Sequence, residues 1–218
     1  MQRFGWPAMI GFHELALDSL PPPGVLAPLP GAGPIRRREF AAGRACALEA
    51  LRQAGYAGAC ALARRTDGLP DWPEGWTGSI SHGRLRAIAV ACSTRHGLGL
   101  GIDIEEWMPV DRAALVAAYV ATPAELDLVA HLHAPCAVTL AFCAKEALYK
   151  ALYPHTRRIT EFSAARIVAV SRNRLRMVLS EDWSASWHVG STFDVAIEAT
   201  PAHAYAGLWL TAAESTTR

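Results

Sequence analysis

Residues 142–150 read FCAKEALYK, with two lysines and a glutamate set among apolar residues. On a helix, Glu146 and Lys150 are i, i+4 neighbours and share a face. Two readings are open. In the first, the charges form a solvated stripe, and the Glu–Lys pair adds a few tenths of a kcal/mol. In the second, they line a cleft. Phe142, Leu148, Tyr149, Leu152 and Tyr153 leave the segment little purely polar surface, which favours the cleft. There Glu146 serves as a metal ligand or a general base, and Lys145 and Lys150 neutralise phosphate. The helix is expected over 137–152, ending near Pro154.

What flanks this helix sets the fold class. Upstream, GLGLGIDIE (97–105) alternates Leu98, Leu100, Ile102 and Ile104 with small or acidic residues, as a strand does. Helical sequence over 111–132 separates the two, with Thr122, Pro123 and Glu125 as a cap, a first-turn proline and a capping-box acid. Downstream, AARIVAV, RLRMVLS, SWHVG, FDVAIEA and YAGLWLT read as short strands. Earlier still, RRREFAAGRACALEALRQAG (36–55) repeats Phe40, Ala47, Leu48 and Leu51 at helical spacing and stops at Gly55. SISH and LRAIAVAC follow as strands after a loop over 64–78, while residues 1–35, rich in Pro and Gly, read as extended or looped. Helix, strands, helices, strands is an α+β order in two halves of similar size, divided here as 1–108 and 109–218.

Within GIDIE, Asp103 and Glu105 fall on one face of the strand and the isoleucines on the other. Two carboxylates about 7 Å apart on one face repel one another. A hard divalent cation relieves that repulsion, and Mg²⁺ takes one or two carboxylates together with water and substrate phosphate. The alternative is a solvated outer face. Arg36, Arg37 and Arg38 open a helix, where cations oppose the helix dipole and an anionic ligand removes the conflict. Arg37 and Arg44 lie nearly two turns apart on one stripe, with Arg36 roughly 80° round. Gly43 inside that helix points to a close approach by a ligand or another backbone. His82, after Ser79 and Ser81, is suited to holding phosphate, though a lone histidine is more often structural.

Bulk composition excludes several classes. The 218 residues are 51% hydrophobic and 19% charged, as in a globular protein. A formal net charge of +1 gives no global field for nucleic acid or an acidic membrane. The sequence shows no secretory signal and no run long enough for a transmembrane helix, so a cytoplasmic location is expected. The five cysteines lack CxxC spacing and read as small core residues, Cys143 included. HLHAPC (131–136) is not a standard zinc framework, and no phosphate-loop motif GxxxxGK[ST] occurs.

RRREF with the following GR, WPEGWTGSISH, GIDIE and FCAKEALYKALYP occur in this order over residues 36–154. Together they resemble the 4′-phosphopantetheinyl transferases of the surfactin and enterobactin synthetase-activating type, most closely the enterobactin-like branch with its mycobacterial members. The resemblance implies two similar α/β subdomains related by a pseudo-twofold, with the site in the cleft between them. It implies Mg²⁺-dependent transfer of phosphopantetheine from coenzyme A to a serine of an apo acyl or peptidyl carrier protein, releasing 3′,5′-ADP, and a monomeric enzyme. It makes Asp103, Glu105 and Glu146 the metal acids and Glu146 also the candidate base. It places Lys150 on the pyrophosphate, Lys145 in the same motif, Ser81 and His82 on a phosphate, and Arg36, Arg44 and Arg64 at the 3′-phosphate and adenine end. Helical phase favours Arg37 where the motif favours Arg36. LPPPGVLAPLPGAGP (20–34) replaces a charged helix of many relatives. A non-catalytic coenzyme A or nucleotide-binding module is the alternative, although it has no need of the three acids together.

Overall fold

The computed structural model describes residues 3–18, 31–59 and 61–211. Most of the proline-rich stretch, and Cys60, lie outside the described residues. Strand β1 (Gly11–Ala16) precedes helix α1 (Pro34–Gln53), which is followed by β2 (Trp76–His82), β3 (Arg86–Ser93) and β4 (Gly99–Glu106). Helices α2 (Val110–Val120), α3 (Pro123–Asp127) and α4 (Ala134–Thr156) come next. Strands β5 (Ala165–Ser171), β6 (Arg174–Leu179), β7 (Thr192–Ala199) and β8 (His203–Leu210) complete the described residues. The fold is α+β, with antiparallel sheets ordered β1-β3-β2 and β4-β8-β7-β6-β5.

Strand periodicity sorts the core into layers. On β3, Ala87, Ala89 and Ala91 face α1, where Ala42, Cys46, Ala47, Ala50 and Leu51 cover them. The alternate residues Ile88, Val90 and Cys92 pack with Phe12 of β1, Leu100, Ile102 and Ile104 of β4, and Tyr205 of β8. That cluster fills the space between the sheets. Helix α4 covers the opposite face of the larger sheet through Cys143, Ala144, Ala147, Leu148, Ala151 and Leu152. Alanine and cysteine dominate these contacts because helix and strand approach closely. A Cβ on Gly11 would lie 1.8 Å from Ala50 O, and one on Gly101 only 1.9 Å from Ala147 O.

Several local expectations differ from the structure. Of the two readings for residues 1–35, extended or looped, residues 11–16 take the extended one and form an edge strand, because Gly11 admits the helix and β3 supplies the ladder. SWHVG is not a strand; it forms turns around buried Trp183 and Trp187. Residues 111–132 break into two helices at Thr122, whose hydroxyl accepts from Glu125 N while Glu125 accepts from Thr122 N in a capping box. Helix α4 continues past Pro154 to a left-handed Arg157 with φ of 53°. The division expected at 108/109 also differs from the strand pairing, because β4 hydrogen-bonds to β8 and so belongs to the larger sheet.

Candidate functional site

Glycine decides where the site forms. On β4, Gly99, Gly101, Asp103 and Glu105 share the face toward α4. With no side chain at Gly101, the α4 backbone settles directly on the strand. Asp103, the next residue on that face, then meets the lysine one turn beyond Glu146. Lys150 Nζ lies 2.6 Å from Asp103 Oδ1. The Ser81 hydroxyl donates to the same oxygen at 2.6 Å and accepts from Lys150 at 2.9 Å. β2 and β4 are edges of different sheets, and Ser79 Oγ satisfies the Ile102 N–H across the seam at 3.1 Å. The solvated outer face that the sequence left open does not exist, since Asp103 is 3% exposed.

A cavity of about 310 Å³ lies over these groups, lined by Ser81, His82, Asp103, Glu105, Glu146 and Lys150, with Ile80 and Phe142 as apolar walls. Burial, reinforced by the Asp103 charge, pushes the Glu105 carboxyl up to about 7, with Arg112 and Lys150 acting against the shift. Burial also raises Glu146; the Lys150 charge opposes this and the Asp103 charge adds to it. Burial disfavours the Lys150 ammonium, but Asp103 and Glu146 outweigh it and hold the group protonated. One carboxylate oxygen, Asp103 Oδ2, is buried without a hydrogen-bond partner.

A second, basic pocket of about 170 Å³ adjoins the first through Ile80 and His82, and brings Arg36, Arg44 and Arg64 together. Arg36, Phe40 and Arg44 form an i, i+4, i+8 stripe on α1. Arg44 is 6% exposed; its Nε donates to Leu62 O, and its guanidinium lies over the Phe40 ring at 4.4 Å. Burial, then the charges of Arg64 and Arg36, lower its pKa to about 10. Three guanidiniums in one concavity destabilise each other until an anion enters. Arg36 donates to His82 Nε2 at 2.6 Å, which requires that nitrogen to be unprotonated. Burial lowers the His82 pKa in the same sense, with Glu39 opposing. Gly43 is explained by Ile80, whose Cγ2 would lie 2.8 Å from an added Cβ.

Two expected site residues fall elsewhere. Lys145 is 5% exposed, and its Nζ is engaged by Glu125 at 2.8 Å and Phe162 O at 3.1 Å. It anchors α4 to α3, because one helical position separates it angularly from Glu146 by about 100°. Arg37 is exposed and does not line the basic pocket, so the helical stripe falls to Arg36. Cys143 is fully buried, and burial raises its thiol well above the ordinary range, which removes it as a nucleophile. Sequence reasoning missed the groove beside Glu146 and Tyr149, walled by Thr160, Phe162 and Trp183. It also gave no site role to Trp72 and Trp76, which with Tyr153 border a larger cavity of about 510 Å³ reaching Lys150. Nothing in the local sequence joins Trp183 to Tyr149; their rings meet only through the fold, at 6.4 Å.

No group of three or more His, Cys, Asp or Glu among the described residues is gathered closely enough to hold a metal ion, and this covers His131, His133 and Cys136 as well. Lys150 places a positive charge beside Asp103. The donor set nevertheless fits a hard cation. Asp103 has a free buried oxygen, and Glu105 and Glu146 are carboxyls that burial and Asp103 make costly to ionise. A divalent ion would relieve all three.

Comparison with known proteins covers both halves. A family model described as "4'-phosphopantetheinyl transferase N-terminal domain" matches residues 27–92. A second, "4'-phosphopantetheinyl transferase superfamily", matches residues 99–206. Enterobactin synthase component D of Salmonella typhi is 34% identical over 178 residues, covering 80% of this chain and 71% of that protein. The 4'-phosphopantetheinyl transferase PptT of Mycobacterium tuberculosis is 34% identical over 175 residues, 74% of each chain. Enterobactin synthase component D of Escherichia coli is 41% identical over 127 residues, 57% of this chain and 59% of that protein.

Proposed function

We infer the reaction from one premise: the chain belongs to the 4′-phosphopantetheinyl transferase superfamily. It transfers the 4′-phosphopantetheine group of coenzyme A to a serine hydroxyl of an apo acyl or peptidyl carrier protein and releases 3′,5′-ADP. The observation that carries this reading is the pairing of two adjoining pockets. One is lined by guanidiniums and His82, the other by Lys150 and the acids. Coenzyme A carries phosphate at two separated places, and the two pockets match that pattern.

Arg36, Arg44, Arg64 and His82 are assigned to the 3′-phosphate, with loop residues Gly68 and Pro70 beside them. Lys150, with Ser81, is assigned to the pyrophosphate. Glu146 is the base, and its raised pKa makes the carboxylate a better proton acceptor than an exposed one. In the step, a bond forms between the serine oxygen and the phosphorus bearing pantetheine. The bond from that phosphorus to 3′,5′-ADP breaks, and the serine proton passes to Glu146. Asp103, Glu105 and Glu146 would hold Mg²⁺, which when bound supplies positive charge to the departing diphosphate. Positioning and charge neutralisation dominate such displacements.

Residues from both halves of the chain line the acidic pocket, so the proposed site is complete within one protomer, as a monomer requires. The common plan of the halves, a strand glycine beneath a helix, supports the pseudo-twofold. No helix among the described residues is long and apolar enough to cross a membrane; a cytoplasmic location agrees with the substrate. The test is direct. Incubated with coenzyme A, Mg²⁺ and apo carrier domains of several types, the protein should leave a phosphopantetheine adduct visible by intact mass. Tight coenzyme A binding with no adduct on any carrier would reject catalysis in favour of a binding module.

A further inference from the structure

An acid outside the reacting set grips the turn beside the site. Glu106 ends β4, one residue past Glu105. Its Oε1 accepts from Arg84 N at 2.9 Å and Leu85 N at 3.1 Å, two amides of the turn joining β2 to β3. The approach depends on Gly83, whose added Cβ would fall 2.7 Å from Glu106 Oε1. Behind the carboxylate stands His203, 5% exposed and opposite Glu106 in the β8 ladder. Its Nε2 lies 3.8 Å from the same oxygen and has no hydrogen-bond partner.

The turn needs such a grip. Arg84 and Leu85 are exposed, and Leu85 is 64% so. The turn closes through Gly83 N to Arg86 O at 2.9 Å, and Leu85 O accepts from Leu17 N at 2.8 Å, but neither bond reaches the larger sheet. His82 directly precedes it. β2 carries Ser81 and His82, β4 carries Asp103 and Glu105, and the two strands lie in different sheets. The apolar cluster between the sheets holds them together, and the polar side chains crossing the seam set the register at the site: Ser79 to Ile102 N, Ser81 to Asp103, and Glu106 to the turn amides. Glu106 is the tie at the His82 end.

We propose that Glu106 is a positioning residue: by holding the β2–β3 turn it fixes His82 against the acids of β4, and so shapes the anion site. The consequence for coenzyme A rests on the reading given under Proposed function; the tie itself does not. Two readouts separate them. Amide hydrogen exchange at Arg84 and Leu85, without ligand, reports the tie. Calorimetric coenzyme A affinity in Glu106→Ala, His82→Ala and the double variant reports its consequence. Glu106→Ala should speed exchange at both amides and weaken coenzyme A about tenfold. The double variant should be no weaker than His82→Ala alone, since residues acting through one another do not add. Glu106→Gln keeps the accepting oxygen, should fold like the parent, and should restore both readouts. Multiplying losses in the double variant, or parental affinity in Glu106→Ala, would overturn the proposal. If the parent itself binds no coenzyme A, the substrate reading fails, and unchanged exchange in Glu106→Ala would then reject the tie on its own.

Discussion

Gly101→Ala adds one methyl group in the place where α4 rests on β4. Its carbon would lie 1.9 Å from Ala147 O, 2.7 Å from Ala151 N and 2.9 Å from Ala151 Cβ. The two closest are backbone atoms of a helix, so no rotamer change relieves them. To reach even 3.0 Å, the Ala147 carbonyl must retreat by about 1.1 Å. Ala147 follows Glu146 directly, and Lys150 sits one turn on, with its Nζ 2.6 Å from Asp103. The retreat therefore pulls Glu146 and Lys150 away from the β4 acids together. A misplacement of about 1 Å costs roughly a hundredfold in rate. Overpacking adds a loss of about 1–3 kcal/mol in stability, a fall of roughly 2–4 °C in Tm per kcal/mol for a chain of this size. Gly99→Ala is the matched control. Its Cβ meets the tip of the His155 side chain at 2.9 Å and Ala151 O at 3.1 Å, so a side-chain shift absorbs most of the strain. Single-turnover transfer to an apo carrier, alongside thermal unfolding, should rank parent, Gly99→Ala and Gly101→Ala in that order. Parental rate and Tm in Gly101→Ala would refute the claim that backbone contact sets the site.

Arg44→Gln should weaken coenzyme A by about ten- to a hundredfold, as for a lost charge-assisted bond, and dephospho-coenzyme A far less; equal losses in a binding titration would remove Arg44 from the 3′-phosphate. Lys150 holds the cation position at Asp103, so Lys150→Ala should bind Mn²⁺ more tightly, by about tenfold or more without coenzyme A, while transfer collapses; weaker Mn²⁺ binding by electron paramagnetic resonance would show that the lysine does not compete. Burial works against the Glu125 carboxylate, but its bonds from Lys145, Thr122 and Ile167 outweigh that and depress its pKa. Its stabilisation is therefore complete above the unfolded value and lost as pH falls through the depressed folded one, below the ordinary carboxylate range. Glu125→Gln with Lys145→Met should stay within a few kcal/mol of the parent at neutral pH and unfold less steeply with acid in denaturant titrations; an unchanged acid limb would assign that transition to other carboxylates.

How legible the site was depended on whether its evidence was local. Asp103 and Glu105 were readable because strand alternation alone puts them on one face, and Glu146 with Lys150 because helical spacing does the same. Lys145 pairs with a distant acid for an equally physical reason. Sequence spacing says which residues share a face but not which face meets the cleft, and the partner that claims Lys145 is Glu125, twenty positions away in another helix. The local pattern marks Glu125 only as a capping-box acid; its second oxygen also accepts from Ile167 N of β5 at 2.9 Å, a role no local pattern signals. Arg36 against Arg37 turned on the same limit. The stripe through Phe40 to Arg44 became decisive only when Ile80, beneath Gly43, showed which side of α1 meets β2.

By itself, the sequence determined the elements that periodicity writes into it: the helix around KEALYK, the acidic strand, the arginine-led helix, and the motif order that marks the family. The tertiary structure decided how close they come. Gly101 is one silent residue in a strand pattern until α4 rests on it, and only that contact makes an exposed-looking DxE into a buried site held by Lys150 and Ser81. Periodicity fixes directions within an element. Distances between elements follow from which side chains are missing at their contact, and that is settled only when the whole chain packs.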